Sequence, residues 1–321
     1  MHSSNQKQSA AASEARSILD ELNQHIRKDL SRADEKLHAL YQLASEHSSD
    51  EDVVFWYSVA AGNIAGWIID NYRDGFEHYI ALQEAAASEF LQSHRLIERI
   101  AASYRYCAWR LARTDREAAM GYLGKLDILL NHNPSNAAVL LWLAEALADV
   151  IDALAASERS LCLTFYNRLT ELANMHPDIR QIHWCRIRAV FALIENEPDF
   201  AQARRFYEDA VTLSDDRPND AELKCAVTEL GWKIVTNQMR PAKFDYGLQI
   251  VDRQEIAARS AGAFPDTSLH FAGTLAFLIT RHSATHTQPC LGLRSRLREF
   301  ASLHTDDALI QDIFQHVESW A

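Results

Sequence analysis

Apolar side chains recur at third and fourth positions along most of this chain, the spacing that places them on one face of an α-helix. Strand signals are nearly absent. No Asn-Gly or Asp-Gly pair stands between alternating β-branched residues, and Asp74-Gly75 sits between two helical patterns. The periodicity predicts a first set of helices at about 51–71, 94–114, 136–156, 178–196, 219–238 and 266–282. A second set alternates with it, at about 74–91, 116–132, 158–175, 199–214, 242–260 and 290–303. One helix over about 12–47 precedes these pairs, and Asp306–Trp320 reads as a closing helix.

The prolines carry the organisation. Pro134, Pro177, Pro218 and Pro265 are separated by 43, 41 and 47 residues, and Pro198, Pro241 and Pro289 by 43 and 48, about half a period out of step. Proline lacks an N–H and clashes with the preceding turn, so it is excluded from helix interiors. Two interleaved series therefore mark two kinds of turn in a repeating helix–turn–helix unit of about 43 residues. The first kind is polar, as in Asn133-Pro134-Ser135-Asn136 and Arg217-Pro218-Asn219-Asp220, and its Asn, Asp, Ser or Thr after the proline is a helix-capping residue.

Within the first helices one pattern recurs: large apolar, then apolar at the third position, small at the fourth and apolar at the seventh. It reads Tyr104, Cys107, Ala108, Leu111; Leu140, Leu143, Ala144, Leu147; and Val227, Leu230, Gly231, Ile234, with a fainter copy at Trp56, Val59, Ala60, Asn63. The small residue lets a partner helix approach closely. Second helices carry small, large and apolar residues ahead of a proline: Ala119, Leu123, Leu126, Pro134; Cys162, Tyr166, Leu169, Pro177; Ala203, Tyr207, Ala210, Pro218. This resembles the tetratricopeptide repeat over roughly residues 50–285. The chain departs from it in a period near 43 instead of about 34, in Arg188 at the small position of the Trp184, Ile187, Phe191 copy, and in a stretched unit after Pro241. HEAT-type or another helical-pair repeat is the alternative.

The fold expected is all-α: a right-handed α-solenoid of about six helix–turn–helix repeats with capping helices at both ends. Residues 1–11 read as a disordered tail, 12–49 as the N-terminal capping helix, 50–305 as tetratricopeptide-like repeats and 306–321 as the C-terminal capping helix, all in one continuous domain. The resemblance implies a concave face that binds peptides or proteins, contributed by the residues one and five places after each leading apolar residue. That nominates Tyr57, Arg105, Trp109, Leu141, Glu145, Thr228 and Trp232. The Lys and Asn set with which some tetratricopeptide proteins clamp a carboxylate terminus is not found.

Composition narrows the picture. Forty-eight per cent of residues are apolar, which excludes a wholly disordered chain, and only 10 Gly and 7 Pro exclude collagen-like or low-complexity material. The net charge of -12 makes this an acidic protein and disfavours nucleic acid as a partner. Five separated cysteines with no CxxC pair do not form a secreted disulfide framework, so a reducing cytoplasm is expected. The start of the chain has no apolar core of a secretory signal. Val53–Ile69 runs 17 residues without a charge, but it is short for a span and acidic at both ends. It reads as a buried helix crossing its neighbour at Gly62 and Gly66, and no membrane is expected.

Catalytic chemistry has little to stand on. No phosphate-cradling glycine loop, HExxH or GxSxG occurs. His282, His286 and Cys290 are the best candidates for a metal, as an i, i+4 pair with a third ligand, although Thr287 and Pro289 argue for a loop there. His176, His183 and Cys185 form a second such group across a repeat turn. Glu51-Asp52 and Asp215-Asp216 read as helix-start charges, and Arg294, Arg296 and Arg298 as a solvated helix face or a partner contact. No cofactor is expected. The function expected is a non-enzymatic protein- or peptide-binding scaffold or adaptor; the alternative is a ligand- or peptide-gated sensor of the same fold.

Overall fold

The computed structural model describes residues 9–319 apart from 73, 89, 91 and 261. Residues 1–8 of the expected tail, and Trp320 of the expected closing helix, lie outside the described residues. Every regular element among the described residues is helical, and the chain falls into two compact units, Met1–Leu154 and Ala155–Ala321.

The first unit holds α1 (Ala10–His25), α2 (Leu30–Glu46), α3 (Glu51–Asn71), α4 (Phe76–Ser88), α5 (His94–Leu111), α6 (Arg116–His132) and α7 (Ala137–Leu154). Most helix starts have a local cause. Ser9 Oγ accepts from the Ala12 amide and starts α1 within the stretch expected to be tail. The single helix expected over about 12–47 is instead two, because the Asp29 side chain accepts from the Arg32 amide and starts a fresh helix. Ser93, Asp115 and Asn136 cap α5, α6 and α7 in the same way. Helix α3 packs on α4, and the alternate helices also meet: α1 on α3, α3 on α5, α5 on α7.

The second unit holds α8 (Arg159–Met175), α9 (Arg180–Glu195), α10 (Phe200–Asp215), α11 (Ala221–Gln238), a 3₁₀ turn at Pro241–Lys243, α12 (Phe244–Ala258), α13 (Pro265–His282), α14 (Thr287–Leu303) and α15 (Ala308–Glu318). Here α9 meets α11, α11 meets α13 and α13 meets α15. The capping expected after each proline holds at Asn136 and Asp220. It fails after Pro177, where Ile179 precedes α9 without a side-chain cap, and at Pro265, which is itself the first residue of α13. Pro289, expected in a loop, lies in the first turn of α14, where its missing N–H would have had no helical partner.

Polar side chains tie elements that are distant in sequence, and several of these ties span about the expected period. In the first unit Asn63 donates to Asn23, Tyr79 to Asp34, Ser93 to Glu51 and Arg95 to Asp52; in the second Arg180 donates to Asp220, Tyr246 to Glu208, Arg259 to Glu299 and Arg296 to Asp252. These separations run from 38 to 45 residues.

The inward faces follow the expected pattern in α5, α7 and α11, where all four positions of each copy are buried. In α3 the expected copy is one residue out of register. Trp56, Val59 and Asn63 are half-exposed, while Tyr57, Ala60, Ala61 and Ile64 form the buried set with the same third, fourth and seventh spacing. In α9, Arg188 is exposed and Ala189 and Val190 are buried beside it. Helix α3 is long and apolar enough to cross a membrane by length and composition, and 61% of its most apolar stretch is buried against the rest of the protein.

The close crossing expected at Gly62 and Gly66 occurs at Gly62. A Cβ there would lie 2.5 Å from Gln83 Nε2 and 2.9 Å from Arg99 Nη2, whereas one at Gly66 would meet Tyr106 at an ordinary 3.6 Å. Gln83 of α4 is fully buried and donates to the Ser58 carbonyl at 2.7 Å. The same device recurs in the second unit: buried Gln254 of α12 donates to the Thr228 carbonyl at 2.8 Å over Gly231, whose Cβ would lie 2.8 Å from Ile250 and 3.1 Å from Gln254 Nε2. Gly62→Ala and Gly231→Ala are each expected to destabilise by about 1–3 kcal/mol through overpacking. Gly121→Ala, in a helix position with open space around it, should stabilise by about 0.5–1 kcal/mol. Urea unfolding of the three variants checks the contrast, and equal effects at all three positions would refute the crossing argument.

Candidate functional site: an arginine-floored cleft in the first unit

Four helices of alternate rank, α1, α3, α5 and α7, line most of a cleft of about 720 Å³ in the first unit. Its walls are Ile26, Trp67, Ile80, Tyr106 and Trp142, and its polar groups come from Asn23, Arg27, Asn63, Asp70, Arg99 and Arg105. At the floor a chain of hydrogen bonds crosses three helices. Arg99 Nη2 donates to Asn63 Oδ1 at 2.8 Å, and Asn63 Nδ2 donates to Asn23 Oδ1 at 3.0 Å. The Arg99 Nε–H is buried without a partner, and no carboxylate among the described residues pairs with this guanidinium. Burial alone pushes its pKa below the ordinary arginine value.

Two turns further along α5, Arg105 has the opposite surroundings. Its Nη2 lies 2.7 Å from Asp149 and 3.4 Å from Glu145, both on α7, and Asp149 is only 4% exposed. The Arg105 guanidinium also stands over Trp142 and Trp109, 6.0 and 5.9 Å from the ring centroids. Asp70, the one acid lining the cleft, accepts from Tyr106 Oη at 2.6 Å and lies 2.6 Å from Arg110 Nε. Tyr106 is pushed up to about 12 by burial and by that hydrogen bond, and burial pushes the Cys107 thiol up to about 12. Both groups therefore hold their protons at neutral pH. The cleft presents guanidinium and amide donors beside aromatic faces.

The nominated residues divide. Arg105, Trp109 and Glu145 come together at the edge of this cleft, and Leu141 is half-exposed on the same α7. Trp109 is 39% exposed. Tyr57 is buried, its ring 5.8 Å from Tyr41, beside a smaller hollow between α2, α3 and α4, because in its true register it is the leading residue of the copy. In the second unit Thr228 is buried, its carbonyl taken by Gln254, and Trp232 is half-exposed against Phe277 and Gly273. Arg99, Asn63, Trp67 and Trp142 lie outside the set that the repeat template points to. Trp142 stands two places after its leading residue, outside the template, and Asn63 was assigned an apolar seat by the one-residue slip. The sequence carries no clear signal for Arg99, which stands beside Glu98 in the stretch Leu96 to Ala102 and reads as part of an ordinary charged face.

The histidine–cysteine candidates do not assemble. No group of three or more potential ligands converges among the described residues. His286 stacks on Phe244 at 4.3 Å, His282 is buried with neither ring nitrogen bonded, and Cys290 donates toward the Leu278 carbonyl at 3.7 Å. His183 is occupied otherwise than as a ligand. Its Nε2 lies 3.0 Å from the Pro177 carbonyl and 2.6 Å from Arg217 Nη2, while Nδ1 is buried without a partner.

No protein-family model, curated protein or solved structure matches this chain.

Two expectations follow from these surroundings. Arg105→Ala removes a counter-charge from buried Asp149 and should destabilise by about 2–4 kcal/mol, against about 1 kcal/mol or less for Trp109→Ala; urea denaturation separates them, and comparable losses would contradict the assignment. Burial is the first cause that lowers the pKa of His183, His270 and His282, partly offset at His183 by the Pro177 carbonyl and at His270 by Glu229 and Asp266. Each folded pKa then lies below the unfolded value near 6.5, so stability is full above that pH and falls as the pH drops below it. Between pH 7.5 and 5, ahead of most carboxylate titration, His282→Leu should flatten the slope of stability against pH. A slope unchanged by the substitution would exclude His282 from that dependence.

Proposed function

We propose that this chain is a tetratricopeptide-like binding module that receives a peptide or protein segment on the face formed by its first helices. The observation that carries the reading is the cleft itself, lined by α1, α3, α5 and α7 in turn. Alternate helices meet within each unit, and polar ties span 38 to 45 residues, both of which support a stack of helix pairs with a period near 43. Stacked pairs of this kind present extended concave surfaces. Trp and Arg at such a face are the side chains that dominate interface energetics; Trp142 and Arg27 line the cleft, and exposed Trp109 stands beside Arg105 at its edge.

The reading is one of binding, without a reaction. It is supported by the raised pKa of Tyr106 and Cys107, which leaves the cleft with no group shifted toward neutrality among those that could act as base or nucleophile. Cysteines that are all free, four of them buried, fit a reducing cytoplasm.

Peptides selected from a random library on the full chain test the proposal. Trp142→Ala and Trp109→Ala should each weaken a selected peptide by about tenfold or more in fluorescence anisotropy, as expected for an interface anchor. Ile128→Ala, an exposed apolar residue of α6 away from the cleft lining, should leave binding unchanged. Selected peptides that bind the tryptophan variants as tightly as the parent protein would refute the reading.

A further inference from the structure

We propose that the cleft of the first unit is a binding site for a small organic oxyanion, whose carboxylate or phosphate seats on Arg99 and whose apolar or aromatic body lies against Trp67, Tyr106 and Trp142. The inference goes beyond peptide binding and does not depend on it.

Three observations carry it. The first is the guanidinium itself. A buried charge is retained at low cost only when it is paired and hydrogen-bonded. Arg99 has an amide oxygen at 2.8 Å, a second carbonyl, Val59, at 3.5 Å, and an unpartnered Nε–H, but no carboxylate. Arg105 shows that this helix stack supplies counter-charges elsewhere, with two carboxylates of α7. The missing counter-charge at Arg99 is therefore a local feature of the cleft floor.

The second is the local charge. The lining holds Arg27 and Arg99, with Arg105 already paired to Glu145 and Asp149, against a single acid, Asp70, which is itself held by Arg110 and Tyr106. A basic concavity in a chain of net charge -12 favours an anion at this place over the rest of the surface. The planar fork of arginine suits the two oxygens of a carboxylate or phosphate, and the half-buried setting strengthens the contact.

The third is size and wall chemistry. About 720 Å³ lies within the range of small-molecule sites, roughly 300–1,000 Å³, which are mostly apolar with a few convergent polar groups. Ile26, Ile80, Trp67, Tyr106 and Trp142 provide the apolar part, and Asn23, Asn63 and Arg99 the convergent polar part. Gly62 keeps the floor open, since a Cβ there would come within 2.9 Å of Arg99 Nη2.

Isothermal titration of the full chain with naphthalene-2-carboxylate, 2-naphthyl phosphate and the uncharged naphthalene-2-carboxamide tests the proposal. At least one oxyanion should bind one per chain and about tenfold or more tighter than the amide, a difference of about 1.4 kcal/mol. The two charged probes distinguish a carboxylate site from a phosphate site. Arg99→Gln should bring the oxyanion down to the affinity of the amide and leave the amide unchanged, while Arg99→Lys keeps part of the preference. If Arg99→Gln fails to fold, the ratio of acid to amide on the parent protein decides alone. Equal affinities for acid and amide, no saturable binding of either oxyanion, or undiminished oxyanion binding by a folded Arg99→Gln protein would each overturn it.

Discussion

A helix pair whose partners must cross closely is the constraint on which both units rest. The apolar stripe of a first helix is buried only if the second helix comes near, and the distance is set by the side chain at the crossing. Gly62 and Gly231 allow the side-chain amide N–H of a glutamine from the facing helix to reach a first-helix carbonyl, Ser58 or Thr228. Ala108 and Ala144, each fully buried, hold in α5 and α7 the small position that Gly231 holds in α11. Where the crossing is tight, one methyl group is enough to displace a hydrogen-bonded amide, so the choice of glycine is steric and does not depend on backbone conformation.

The same constraint shapes the cleft. Removing the side chain at Gly62 admits Gln83 from one direction and the Arg99 guanidinium from another. The approach of α4 and the position of the cationic floor are thus set by one residue. Above that floor the walls are built from residues that face neither the crossing nor open solvent. Asn63, Trp67 and Trp142 are each half-exposed, the burial of a concave surface. Cleft and core share helices α3 and α5, and only the helical phase of a side chain decides which of the two it joins.

That dependence on phase explains what the sequence revealed and what it did not. The twelve paired helices were legible because proline and capping residues interrupt the 3.6-residue period at nearly regular steps, and the observed elements fall within a few residues of the expected ones. The break between α1 and α2 was hidden because Asp29 interrupts without proline or glycine, inside an apolar pattern that continues on both sides. Phase was harder than period. In α3 almost every residue is apolar, so registers one residue apart fit equally well, and Tyr57 was assigned to the surface that Asn63 and Trp67 occupy. At Thr228 the template chose a residue whose carbonyl is consumed by the crossing. The metal candidates failed for a different reason: an i, i+4 spacing needs one continuous helix, and a turn separates His282 from His286.

Arg99 and Arg105 lie on one helix and differ in what the neighbouring helix offers them. Helix α7 carries Glu145 and Asp149 in reach of Arg105, so that guanidinium holds helices together and its charge is spent internally. Helix α3 offers Arg99 only an asparagine and a main-chain carbonyl, which accept hydrogen bonds but bring no charge. A neutral acceptor fixes the orientation of the fork and leaves the positive charge uncompensated. In this half-buried setting that charge is felt more strongly than on the open surface, because fewer waters screen it. Of the two arginines, the one that contributes less to the fold is therefore the one equipped to act on a ligand.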